Sequence, residues 1–220
     1  MITVKQISRS YPHCEALKET DLQIQDGTFT AIVGRSGSGK STLLRILGGL
    51  DSPTSGEVFY DDISLQKMSE VQLAAFRNQH IGFVFQQFFL EPQYTVYQNV
   101  EMPLIIGAVP KRERRSLVEK QLAAVGLLHK KNALASSLSG GEKQRTAIAR
   151  AMVCDPPVIL ADEPCGSLDT ENGAIVMQLL RAMAGQGKTV ILITHNREDA
   201  AKTDRIITLE DGQVIDDATF

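Results

Sequence analysis

Tryptophan is absent from this 220-residue chain, and cysteine occurs only three times, at Cys14, Cys154 and Cys165. Three widely spaced cysteines with no C-x-x-C pair exclude a zinc knuckle and a disulfide framework, and predict reduced thiols. A surplus of positive charge is also missing: 23 Lys and Arg against 26 Asp and Glu leave a net charge of −3. Nucleic-acid binders that rely on bulk electrostatics are normally basic, so no nucleic-acid partner is expected. Apolar runs are short. Met102–Val109 and Val190–Ile193 fall far below the roughly 18 residues that cross a bilayer. The opening Met1-Ile-Thr-Val-Lys-Gln enters alternation without the apolar core of a signal peptide. Any membrane role is therefore expected to run through another chain. Internal repeats, low-complexity tracts and Gly/Ser linkers are lacking too, which argues against solenoids and flexibly tethered modules.

What is present is ordinary for a globular protein, with 43% hydrophobic and 22% charged residues and enough length for a real core. Short apolar runs bounded by turn residues alternate with helical patterns, which predicts an α/β fold. Thr30–Gly34, Ile81–Phe85, Val158–Ala161, Thr189–Thr194 and Arg205–Leu209 read as strands, and Ser41–Leu50 as a helix. Ile24–Phe29, centred on Asp26-Gly27, reads as a hairpin. From Val96 to Met152 the strand signal fades and helical patterns such as Arg114–Val125 take over. The expected organisation is a single domain over 1–220, with an α/β core in 1–87 and 153–220 and a helical subdomain in 88–152.

Seven of the twelve aromatic residues fall between Phe76 and Tyr97. Phe83 and Phe85, on their strand, are expected to pack in the core. Phe88-Phe89-Leu90 precedes Glu91-Pro92 and so reads as loop, where an apolar cluster points to a docking surface.

Gly34-Arg35-Ser36-Gly37-Ser38-Gly39-Lys40-Ser41 matches G-x-x-x-x-G-K-[ST], between a predicted strand and a predicted helix that continues with Thr42. Glycines let successive backbone N–H groups turn inward as an anion nest, and the following helix aims its positive end at the same point. Lys40 would place its charge on β- and γ-phosphates, and the Ser41 hydroxyl would ligate Mg²⁺. The Asn-Lys-x-Asp guanine reader is absent, which argues against a GTPase. A second group for the metal is expected at a neighbouring strand end, and Val158-Ile-Leu-Ala-Asp162-Glu163 supplies it. Asp162 would hold Mg²⁺, and Glu163 would act as general base on the attacking water. Gln86 and His195 close two further strands; on one sheet edge they would reach the metal or water and the γ-phosphate.

Leu138-Ser139-Gly140-Gly141-Glu142 precedes a helix with apolar Ala147, Ile148, Ala151 and Met152. Ser139 and Glu142 have capping-box spacing, and the bare glycines admit an anion at the helix start. A second phosphate-recognition element about 100 residues after the first makes sense if it serves another protomer's nucleotide.

Leu-Ser-Gly-Gly-Glu resembles the signature of ATP-binding-cassette ATPases, and the cradle, Gln86, Asp162-Glu163, Asp169 and His195 fall in that family's order. The resemblance covers nearly the whole chain, and Tyr11 stands where the family stacks adenine on an aromatic ring. It implies a P-loop NTPase (RecA-like) core with an antiparallel β part and an inserted helical subdomain. It further implies a head-to-tail homodimer closing on two Mg-ATP, with Ser139-Gly140-Gly141 of one chain completing the other's site. Leu47–Gly56, Arg77–Gln86 and Asn99–Leu104 resemble the MacB/LolD group, whose members drive a separate integral membrane subunit from the cytoplasmic face. Similarity to FtsE leaves a regulatory ATPase open, and a soluble family member acting on nucleic acid or ribosomes is the remaining alternative. Two segments depart from the family pattern: Glu163-Pro-Cys165-Gly-Ser167-Leu-Asp169, where Thr and Asn are usual at Cys165 and Ser167, and Asn196, where Asp is common.

Overall fold

A computed structural model describes residues 1–219. The chain begins as an antiparallel ribbon, β1 (Ile2–Tyr11) and β2 (Cys14–Ile24), then enters β3 (Phe29–Val33) and α1 (Lys40–Leu47). Next come β4 (Ser55–Tyr60), β5 (Ile63–Ser64), α2 (Glu70–His80) and β6 (Ile81–Phe85). Three helices follow, α3 (Val96–Ile106), α4 (Lys111–Ala124) and α5 (Gly140–Met152). The remainder alternates: β7 (Val158–Asp162), α6 (Thr170–Gly185), β8 (Thr189–Ile193), the short α7 (Arg197–Ala200), β9 (Arg205–Glu210) and β10 (Gln213–Thr219).

Two sheets result. One is antiparallel, in the order β2-β1-β4-β5; the other runs β10-β9-β3-β8-β7-β6, parallel except for β10. Unbroken apolar runs dictate the second sheet, because a parallel sheet covered on both faces needs strands without a polar side. Val158–Ala161 and all of β8 are buried. Alternate residues then feed two cores. Ile159, Ala161, Val190 and Leu192 face α3, α5 and α6, whereas Val158, Leu160, Ile191 and Ile193 face α1 and the antiparallel sheet. The helices of 88–152 lie on the first of these cores and share it with the sheet: Val96, Val100, Leu104, Val118, Leu122, Ile148 and Met152 are all in it.

Two expectations need correction. Ile24–Phe29 is not a hairpin, because β2 pairs with β1 while β3 pairs with β8 and β9. The Asp26-Gly27 turn carries the chain from one sheet to the other; local turn chemistry marks a reversal but not which strand will be met. Phe83 packs, half-buried, against the second core as expected, but Phe85 is half-buried on the edge strand β6 and belongs to neither core.

Candidate active site

The parallel strands deliver their carboxyl ends to one edge, where ligands of such sheets bind. Gly34 leaves β3, Asp162 closes β7 with Glu163 after it, and His195 lies just beyond β8. They meet at a cavity of about 420 Å³. Its lining combines Gly34, Ser36, Gly37, Gly39, Lys40, Ser41 and Thr42 with Glu163, Ile193, His195 and, from β2, Ala16.

The loop is built for close approach. Gly39 has φ +99°, and a Cβ there would lie 2.3 Å from the Ala16 carbonyl oxygen, so no other residue fits. The Lys40 Nζ donates to the carbonyls of Gly34 (2.9 Å) and Arg35 (2.8 Å), bracing the loop that it closes. The Ser38 hydroxyl is buried without a hydrogen-bond partner. The Ser41 hydroxyl donates to Asp162 Oδ1 at 3.1 Å, which brings two oxygen ligands together at the mouth of the loop. Burial pushes the Asp162 carboxyl above the usual carboxylate range, against the opposing pull of the Ser41 hydrogen bond.

Glu163 carries a left-handed backbone, φ +48°, which costs a non-glycine residue on the order of 1–2 kcal/mol. Its N–H donates to the Ile193 carbonyl at 3.0 Å, tying it to the end of β8. The carboxylate, largely buried, lies 2.9 Å from Nδ1 of the exposed His195. Strain at this point turns the side chain into the cavity instead of along the strand.

Other sequence-marked residues lie elsewhere. Gln86 is exposed and outside the cavity lining; its amide sits against Gly166, and its carbonyl accepts from the Ser167 hydroxyl at 3.4 Å. Tyr11 is also outside it, with its hydroxyl donating to Asp51 (2.6 Å) and Arg9 over its ring (4.6 Å). Ser139 and Glu142 form the capping box of α5: Ser139 Oγ accepts from the Glu142 N–H (3.3 Å) and Glu142 from the Ser139 N–H (3.0 Å). The Lys130 ammonium, with the Ser139 N–H, holds the Glu142 carboxyl below the usual range. Leu138 and Gly141 are buried, while Ser139 and Gly140 are exposed. Asp169 caps α6 through the Asn172 N–H at 2.8 Å, which lowers its carboxyl. None of these residues lines the cradle's cavity, so phosphate loop and signature occupy separate surfaces of one chain.

Two polar side chains, one buried and one half-buried, escaped the sequence reading. Gln144, with no exposed surface, donates to the carbonyls of Phe85 (3.2 Å) and Pro164 (2.8 Å), joining the end of β6 to the segment after Glu163. Its position three before Ala147 and four before Ile148, on their helix face, was the available signal. Arg150 donates to the carbonyls of Phe88 (2.9 Å) and Phe89 and staples the aromatic loop. Burial lowers its guanidinium.

Comparison with known proteins decides between these geometries' possible uses. The family model described as ABC transporter matches residues 17–166. The chain belongs to the ABC transporter family. Among its relatives, the lipoprotein-releasing system ATP-binding protein LolD of Desulfotalea psychrophila is 44% identical over 97% of this chain and 98% of its own length. The macrolide export ATP-binding/permease protein MacB of Brucella melitensis is 46% identical over 93% of the chain, which covers 32% of that longer protein. Solved dimeric structures of the cassette MJ0796, one of them a post-hydrolysis state with ADP and Pi, superpose with a TM-score of 0.92. They cover 100% of this chain and 98% of theirs at 43% and 42% identity. As a member of this family the chain is an ATP-binding ATPase subunit working with Mg²⁺. The pair Ser41 and Asp162 suits that metal, which takes few protein oxygens and completes its shell from phosphates and water. Among the described residues no helix is long and apolar enough to cross a membrane.

Proposed function

We propose that this chain forms a head-to-tail homodimer around two Mg-ATP on the cytoplasmic face of a membrane. There it powers a separate integral membrane subunit of the MacB/LolD kind. The observation that carries the reading is the division of one chain into two incomplete halves. The cradle, Glu163 and His195 share a cavity, while Ser139 and Gly140 lie exposed at the start of α5 outside it. Only a second copy, turned head to tail, brings the two halves together.

Each residue then has a task. The loop N–H groups and the start of α1 bind the phosphates. Lys40 gives up the carbonyls of Gly34 and Arg35 for the β- and γ-oxygens, and Ser38 Oγ gains the partner it lacks. Ser41 and Asp162 would hold Mg²⁺, which when bound neutralises charge on the phosphate oxygens. Glu163, lodged beside the cradle, takes a proton from water as that water attacks, and His195 Nδ1 fixes its carboxylate. Gln86, at the end of β6, and Tyr11, at the end of β1, enter the site as the halves close.

Glu163→Gln tests this. The amide keeps the shape but cannot accept the proton, so turnover falls by about 10²- to 10⁴-fold while ATP binding persists. Light scattering in saturating Mg-ATP shows a dimer for the variant; a monomer under those conditions overturns the sandwich.

A further inference from the structure

A second cavity, of about 620 Å³, lies on the other side of the wall that Gly34 and His195 provide to the nucleotide cavity. Arg35 and Arg197 line it, with Val33, Ile206 and Thr208, and no carboxylate does. Among the described residues, neither arginine side chain forms an ion pair or a hydrogen bond. Of the nearby acids, Glu163 faces His195 at 2.9 Å, Asp199 pairs with Lys202 at 3.0 Å, and Glu198 is exposed and does not line the cavity. A pocket of this kind, with two unpaired guanidinium groups and no negative charge of its own, is matched to an oxyanion. Each planar fork offers parallel N–H donors to such an ion.

The geometry points to this cavity as a transient site for the inorganic phosphate that hydrolysis leaves beside Glu163 and His195. The inference rests on the ATPase reading above and adds a route of departure. ADP remains on the phosphate loop and closes that side, whereas Gly34 and His195 border both spaces. On this proposal the free phosphate leaves past the His195 side chain, which is 72% exposed at the border of the two cavities. Arg197 and Arg35 receive it, and no bond is made or broken in the transfer.

The test uses the whole protein with ADP and inorganic phosphate, at ionic strength matched with chloride. Phosphorus NMR follows broadening of the phosphate resonance, and steady-state assays follow inhibition of ATP turnover by phosphate. Arg197→Ala is expected to weaken phosphate binding and inhibition by about tenfold, the loss of one charge-assisted contact, with KM for ATP within about twofold of wild type. Arg197→Lys is expected to recover part of the effect. Phosphate inhibition equal in wild type and Arg197→Ala, or none in wild type, overturns the proposal while leaving the ATPase reading intact. Absence of ATP turnover in the wild type, by contrast, sinks that reading first. An Arg197→Ala protein that loses its ATP-dependent dimer but keeps phosphate binding would make Arg197 an inter-chain contact, and would also overturn the proposal.

Discussion

Single side chains acquire their chemistry here from burial more than from type. Cys165 stands in the segment between Glu163 and Asp169, packs against the first core and donates its thiol to the Gly173 carbonyl at 3.6 Å. Burial, helped by Asp199, pushes that thiol up to about 12. A raised thiol pKa keeps the neutral form in excess at all ordinary pH, and the thiolate is the nucleophile. Iodoacetamide at about pH 8 is therefore expected to label exposed Cys14 first and to leave Cys165 intact until denaturant is added. Peptide mass spectrometry that finds Cys165 alkylated as fast as Cys14 in the folded protein would refute this. The sequence could name Cys165 as a departure from its family but not say whether it is reactive, because reactivity depends on what covers it. The same limit applies to Tyr11 and Gln86. Their places in the chain were visible, but their partners, Asp51 and Gly166, come from segments 40 and 80 residues away.

At the scale of elements, the paired glycines at the start of α5 have different reasons to be there. A Cβ on Gly141 would lie 1.9 Å from Asn172 Oδ1, so α5 and α6 approach closely only because that atom is absent. A Cβ on Gly140 would meet nothing nearer than Leu168 Cδ2 at 3.7 Å, an ordinary contact. Gly141→Ala is expected to cost about 1–3 kcal/mol, which lowers Tm by several degrees in a domain of this size. Gly140→Ala is expected to leave Tm within a degree or two and to cut ATP turnover by about tenfold, since its methyl obstructs an anion at the helix start. Calorimetry and a turnover assay on both variants separate the two. If both lose stability alike, Gly140 is a packing glycine and the bare helix end has no catalytic use. Legibility divides along the same line. β3, β6, β7, β8 and β9 were readable because a continuous apolar run between turn residues has few other solutions in water. The crossing from β2 to β3 was not, since a turn at Asp26-Gly27 is compatible with pairing or with parting. The capping boxes of α2 and α3 at Ser69 and Thr95, like that of α5, follow from local spacing alone.

For the molecule as a whole, the question is how events at Glu163 reach another chain. A groove of about 360 Å³ opens between β6, α3 and α5, lined by Leu50, Phe83, Phe85, Pro103, Ile106 and Arg150 among others. Leu50 and Ile106 are 47% and 71% exposed, and the exposed Phe89 sets its ring edge-on to Phe85 at 5.3 Å, so apolar surface gathers at the groove. The floor of the groove is wired to the site. Phe85 lines it, and the Phe85 carbonyl shares the Gln144 side chain with the carbonyl of Pro164, the residue after Glu163. Arg150 holds the Phe88-Phe89 turn against the same helix. A body seated in this groove thus bears on Glu163 through one rigid helix and two hydrogen bonds. On the proposed reading that body is an apolar helix of the membrane subunit. Ile106→Glu places a charge where that helix would bury its surface, so it is expected to abolish co-purification of the membrane subunit from native membranes in gentle detergent. Ile106 touches neither cradle nor signature, so ATP turnover of the isolated variant is expected to stay within about twofold of wild type, a change well under 1 kcal/mol. A variant that keeps its membrane partner would move the docking surface away from this groove. Loss of turnover without the partner present would mean instead that the groove sets the geometry of Glu163 by itself.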